Sequence, residues 1–212
     1  MNAATQLPLY VLAIGFLAQA LFSARTLVQW LLSEKRREVV SPTLFWALSL
    51  AASILMFSYG WLRNDFAILL GQVISYYIYI WNLRIKGVWQ HVPLLIRGAI
   101  TLLPPVGIGV LASHTDFTAL FLQNSSIPLW LVIFGSAGQV IFTLRFIYQW
   151  YYSRRQGESQ LPRGFWWISL FGSSVIVCYG LLRLDPVLIL GQSVGFIAYI
   201  RNLMIGRHAN RP

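Results

Sequence analysis

Acidic residues are the scarcest feature of this sequence. Six Asp and Glu stand against sixteen Lys and Arg, and charged residues make up only 10% of the chain. A soluble domain usually carries about 25% charge. A soluble bundle with buried helices is the competing class, and it fits poorly because nearly every periodic segment is apolar all round. No carboxylate stands inside an apolar run, so no proton relay is visible. The single cysteine, Cys178, excludes an internal disulfide and is expected to pack within its apolar run. His91, His114 and His208 are scattered, so no metal-ligand cluster forms. A Walker A loop, an HExxH pair and a GxSxG elbow are all missing. Neither an ATP-driven pump nor a familiar hydrolase is expected, and no cofactor or metal is implied.

Apolar length is what the chain has in abundance. Of its 212 residues, 57% are hydrophobic, and the mean hydropathy is +0.63. Seven apolar segments can be drawn, at 8–32, 43–62, 66–84, 93–112, 127–151, 165–183 and 186–205. Most have the roughly 20 residues needed to cross a bilayer as a helix. Pro8, Pro42, Pro93, Pro128, Pro162 and Pro186 mark their starts, where a missing N–H costs little. The opening "MNAATQLPLYVLAIG" lacks a basic region and reads as the start of a span, not a cleaved signal.

The net charge of +10 raises nucleic acid as a partner. Its placement argues against that. Lys35, Arg36, Arg37, Arg84, Lys86, Arg97, Arg154, Arg155, Arg163, Arg201, Arg207 and Arg211 all fall at alternate connections or in the tail. Only Arg63 and Arg183 fall on the opposite side, and Arg25 and Arg145 lie within spans. The positive-inside rule then predicts an outer N-terminus and a cytoplasmic C-terminus.

The chain also repeats itself without gaps at an offset of 120. Between 15–83 and 135–203, 26 of 69 positions are identical. "YGWLRND" answers "YGLLRLD", and "GQVISYYIYIWNL" answers "GQSVGFIAYIRNL". The expected architecture is an all-α membrane protein of seven transmembrane helices in a 3+1+3 layout. A first three-helix repeat occupies 1–86, a linking helix and loop 87–120, and a second repeat 121–212. An odd three-helix unit inverts if the chain simply continues, and the linking span restores its direction. The two three-helix bundles should therefore be parallel repeats, with a cavity between them.

Several polar residues inside the spans are duplicated. Gln19, Phe22, Arg25 and Gln29 share one helix face, as do Gln139, Phe142, Arg145 and Gln149. A charge in lipid is expensive, so both arginines should face the interior. Their planar donor forks suit phosphate or carboxylate, making an anionic head group the expected ligand. Bonding within their own repeat, or snorkelling to the interface, is the structural alternative. Asp65 and Asp185 open spans three and seven, where each can cap the helix and pair with Arg63 or Arg183, or act at an outer mouth. Gln72 and Gln192, each after a glycine, are either packing glue or cavity lining. Asn82 and Asn202 lie further along the same helices, one turn past Tyr79 and Tyr199. Trp30, Trp46, Trp150 and Trp166 fall near span ends and read as interfacial belt residues, ahead of a substrate clamp.

The repeated "RxxxQW…S…E…P…FW" and "YGxLRxD…GQ…YxxNL" units resemble the lipid-A-disaccharide synthase N-terminal domain family, seen twice. In outline the layout is similar to PQ-loop and SWEET-type transporters, although the Pro-Gln dipeptide is absent. The resemblance implies a multi-pass protein of the bacterial inner membrane, in envelope lipid glycosylation. It singles out Gln19, Arg25, Gln29, Asp65, Gln72 and Asn82, and Gln139, Arg145, Gln149, Asp185, Gln192 and Asn202. The chain leaves no room for a nucleotide-sugar domain, so disaccharide synthase activity of its own is not expected. The resulting expectation is a transporter or flippase for a phosphate-bearing glycolipid or polyprenyl-phosphate-linked sugar. The alternatives are a non-transporting membrane partner of a glycosyltransferase, a small-solute or sugar transporter, and an enzyme acting on an envelope lipid.

Overall fold

A computed structural model of the protein describes residues 8–63, 65–114 and 128–208. The seven expected segments appear as seven helices: α1 (Leu9–Arg36), α2 (Thr43–Leu62), α3 (Phe66–Ile85), α4 (Leu94–His114), α5 (Leu129–Gln156), α6 (Arg163–Leu182) and α7 (Pro186–His208). A single 3₁₀ turn, Trp89–His91, precedes α4. Five of these helices, α1, α2, α5, α6 and α7, are long and apolar enough to cross a membrane. Helices α3 and α4 are outside that set, so five of the seven expected spans are borne out by length and composition among the described residues. The apolar stretch of α4 is short, Leu94–Val110, and contains Pro104 and Pro105. Arg211 and the first seven residues lie outside the described part.

The helix ends follow from local chemistry. Pro8, Pro42, Pro128 and Pro162 stand immediately before α1, α2, α5 and α6. Helices α1 and α5 both stop in a left-handed residue, Arg37 (φ 57°) and Gly157 (φ 73°). These are equivalent positions, so the same turn is built once with glycine and once against the preference of a side chain.

The six helices of the two repeats close into a ring, in the order α1–α2–α3–α5–α6–α7 and back to α1. Each repeat is thus a row with its second helix in the middle, and not the self-contained three-helix bundle expected. The two seams between rows are equivalent: α3 meets α5, and α7 meets α1. Gln19 faces Gly191 and Gln29 bonds to Asn202, so α1 and α7 run parallel. Gln139 faces Gly71 and Gln149 bonds to Asn82, so α5 and α3 do too. The repeats are therefore parallel. Helix α4 lies outside the ring, where Tyr76 and Tyr77 donate to the carbonyls of Ile100 and Thr101.

The outer surface is studded with leucine, isoleucine, valine and aromatic side chains, among them Leu31, Leu95, Ile133 and Phe171. The whole is a multi-span, membrane-type architecture built on an internal repeat. Trp46 and Trp166 correct the belt reading. Both are fully buried in an aromatic core with Phe45, Tyr79, Phe146 and Phe165, while Trp30 and Trp150 are half-buried. Cys178 is exposed on α6 and not packed.

Helices α5 and α6 meet backbone to backbone at Gly172, where an added Cβ would lie 2.7 Å from the Cα of Phe142. The equivalent residue in the first repeat is Ala52. Gly172→Ala should force two backbones apart at a cost of about 1–3 kcal/mol. The measurement is the thermal unfolding midpoint in detergent, and an unchanged midpoint would show that this seam has slack.

Candidate functional site

Each row presents one strongly polar face to the ring interior. The faces meet at three levels, which the parallel arrangement stacks along the helices.

At the basic end, Gln29 Nε2 donates to Asn202 Oδ1 at 2.8 Å, and Asn202 Nδ2 returns a bond to Gln29 Oε1 at 3.0 Å. The equivalent pair, Gln149 and Asn82, exchanges the same two bonds at 3.0 and 3.1 Å. All four side chains have zero exposure. Gln29 also binds Ser33 and the carbonyl of Val40, and Gln149 binds Ser153 and the carbonyl of Gln160. These bonds pull the 37–42 and 157–162 turns over the end of the ring. Ser41 and Ser159 then meet at 3.0 Å across it.

At the opposite end, aspartates take the same role. Asp65 caps α3 by accepting from Ile68 N, and Asp185 caps α7 by accepting from Val187 N and Leu188 N. Each also binds across the repeat boundary. Arg63 approaches Asp185 at 2.7 Å, and Tyr59 donates to the same carboxylate at 3.0 Å. Tyr179 donates to Asp65 at 2.7 Å, with Arg183 at 3.9 Å. The partner of each aspartate is thus the arginine of the other repeat. Glycine makes room for the tyrosines: the rings of Tyr59 and Tyr179 lie where Cβ atoms on Gly15 and Gly135 would be.

Between the two ends lies a cavity of about 50 Å³. Gln19, Arg25, Gln72, Gln139, Arg145 and Gln192 line it, together with Tyr79 and Tyr199. Gly71 and Gly191 accommodate the amides of Gln139 and Gln19 from the facing row, so the Gly-Gln pairs serve both packing and lining. The arginines sit on the aromatic core. Arg25 donates to Ser49 Oγ at 2.6 Å and lies 5.5 Å from the Phe146 ring; Arg145 lies 4.5 Å from the same ring and 3.2 Å from that of Phe142. Both are nearly buried, 5% and 3% exposed. Among the described residues, Arg25 Nε, Arg145 Nε and Nη1, Gln72 Oε1 and Gln192 Oε1 have no hydrogen-bond partner.

Among the described residues, no carboxylate lines this cavity. Asp65 and Asp185 are engaged at one end, and Glu34 pairs with Arg201 on the outside. Two guanidinium groups therefore share a small space with no counter-charge among the described residues. Such a space favours an anion that accepts several hydrogen bonds.

Of the residues singled out by sequence, the cavity collects Gln19, Arg25, Gln72, Gln139, Arg145 and Gln192. It leaves Gln29, Gln149, Asn82 and Asn202 to saturate one another at the basic end, and Asp65 and Asp185 to close the other. Sequence reasoning gave no role to Tyr59, Tyr179, Ser49 or Ser41. The first three carried a signal, since each is a polar residue repeated identically at the offset of 120.

The profile of a family described as the Lipid A Biosynthesis N-terminal domain matches residues 14–84 and again 134–204. The chain is 32% identical over 211 residues to a lipid-A-disaccharide synthase of Chlamydia muridarum, covering 94% of this chain and 35% of that protein. It is 31% identical over 201 residues to a protein of the same name from Chlamydia pneumoniae, covering 91% and 33%. The chain thus spans about a third of the length of these curated relatives. No solved structure matches it significantly.

Two substitutions test the end closures. Gln29→Ala strands the Asn202 amide and should cost about 1–3 kcal/mol, whereas a Gln29→Leu/Asn202→Leu pair should recover much of it. Asp185→Asn leaves Arg63 without its counter-ion and should cost about 3–5 kcal/mol. Thermal midpoints in detergent read both, and additive loss in the leucine pair would deny that the two amides depend on each other.

Proposed function

Because this chain belongs to the Lipid A Biosynthesis N-terminal domain family, we propose that it handles a phosphate-bearing lipid of the bacterial envelope. The first reading is a transporter or flippase for a glycolipid or a polyprenyl-phosphate-linked sugar. The observation that carries it is the cavity itself: two buried arginines, one from each repeat, with unpartnered donors and no acid. A phosphate group supplies the missing charge and enough acceptor oxygens for both forks. Gln19, Gln72, Gln139 and Gln192 surround it with amides suited to sugar hydroxyls.

Size sets the mechanism. A cavity of about 50 Å³ has room for a few waters or a single small anion, not for a glycolipid head group. The conformation described is therefore closed at both ends. Loading requires one end to part, and each end has its own set of cross-repeat bonds to break. Opening the Gln–Asn end exposes the arginines to one side, and opening the Arg–Tyr–Asp end exposes them to the other. The two rows can rock about the arginine level, so that one set forms as the other breaks. With the basic end cytoplasmic, as charge bias predicts, the aspartate end faces outward. The protein then resides in the bacterial inner membrane with an outer N-terminus.

A second reading has its own support. The curated relatives are about three times longer than this chain and are named as lipid-A-disaccharide synthases. A membrane module that presents a phosphorylated lipid to such an enzyme would use the same arginines without moving its ligand across.

The test is native mass spectrometry of the protein extracted with its own lipids, beside a scrambling assay in proteoliposomes. Wild type should carry a glycolipid or polyprenyl-phosphate-linked sugar, identified by its mass, and Arg25→Gln/Arg145→Gln should lose that species while retaining most of its thermal stability. Scrambling by wild type alone supports transport. Lipid retained on wild type without scrambling supports the presenting role. Unchanged glycolipid or lipid-linked sugar on the double variant would sink both.

A further inference from the structure

The seam between α3 and α5 has a feature that its twin lacks. At the α7–α1 seam, the basic end is sealed by an ion pair between Arg201 and Glu34, with Trp30 donating to the same glutamate at 2.9 Å. The equivalent positions at the α3–α5 seam are Trp81 and Arg154. There the acid has become a base, and its partner has become an indole. Trp81 packs edge-on against Trp150 at 6.3 Å, and Arg154 lies 5.4 Å from the Trp150 ring.

Next to this pair, α3, the 3₁₀ turn and α4 form an open cleft of about 530 Å³, lined by Trp81, Arg84, Ile85, Trp89, Gln90 and Arg97. It is about ten times the size of the central cavity, and within the range of small-molecule ligand pockets. Among the described residues, neither Arg84 nor Arg97 has an ion-pair partner, and Arg97 Nε is shielded from solvent without a hydrogen bond. The second repeat has Met204 in place of Arg84, so the cleft is not a by-product of the duplication. Further along α4 from Arg97, Leu102 and Val106 are exposed, apolar side chains suited to an acyl chain. Tryptophans beside arginines, at the end of an apolar helix face, match the depth at which lipid phosphates lie.

We propose that this cleft is a second anion site, specific for the phosphate diester of an anionic lipid. Arg84 and Arg97 hold the phosphate, Trp81 and Trp89 form the indole wall at head-group depth, and the exposed face of α4 receives the chains. The site is independent of the Arg25–Arg145 cavity, so the two assignments stand or fall separately.

The experiment uses the full chain in detergent, titrated with phosphatidylglycerol and read by native mass spectrometry. One tightly retained lipid is expected, with phosphatidylcholine binding only at background level. Arg84→Gln/Arg97→Gln should lower the apparent affinity for phosphatidylglycerol by about tenfold or more. The exposed single change Arg84→Glu should weaken it in the same direction. Arg25→Gln/Arg145→Gln should leave this titration unchanged. Wild-type affinity in the Arg84/Arg97 variant, or equal retention of phosphatidylcholine, would overturn the proposal. So would full displacement by millimolar inorganic phosphate, which would make the occupant a free anion and not a lipid.

Discussion

The buried amides and carboxylates at the two ends of this ring each find a partner in the other repeat. Gln29 needs Asn202, Gln149 needs Asn82, Asp185 needs Arg63 and Asp65 needs Tyr179. In a hydrocarbon surround, an amide or carboxylate without a partner is costly, and no solvent is present to relieve it. The two rows are therefore held in register by chemistry that neither can complete alone. That constraint explains the glycines opposite the glutamines and tyrosines, and the turns drawn inward over the basic end.

The arginines stand apart from this pattern. They belong to the same repeated face, but no acid of the other repeat answers them. Arg25 settles on Ser49 and the faces of Phe22 and Phe45, and Arg145 on Phe142 and Phe146. Aromatic faces offer a cation partial compensation only. The ring interior is thus saturated by paired amides at one end and by ion pairs at the other, and left positively charged in the middle. A structural brace would more naturally have carried a carboxylate at this level, as the aspartate end does.

Much of this was legible in the sequence, because duplication marks residues that a single apolar run would hide. The helix positions, the parallel repeats and the inward-facing arginines all follow from spacing, proline placement and the offset of 120. The partner choices did not. Asn82 and Gln29 look equivalent to Gln72 and Gln19 as polar residues within spans. Only the closure of the ring separates a pair that saturates itself from a pair that lines a space. Trp46 and Trp166 misled for a related reason. Their distance from the span end fits an interfacial ring, but their helix face points inward, and face outranks depth in deciding burial.

The turn that ends α1 and α5 shows what fusing the two copies made available. A single repeat contains both members of every cross-bond: Gln29 with Asn82, and Arg63 with Asp65. Two separate copies would complete the same ring by pairing with themselves, but they would have to stay identical. Joined by α4, the halves have fixed stoichiometry and can diverge. Gly157 relaxes a turn that Arg37 holds under strain, Phe146 fills a position that is Thr26 in its counterpart, and one seam trades an ion pair for stacked indoles. In effect the linker turns an obligate homodimer into a heterodimer on one chain, and gives a symmetric frame a front and a back.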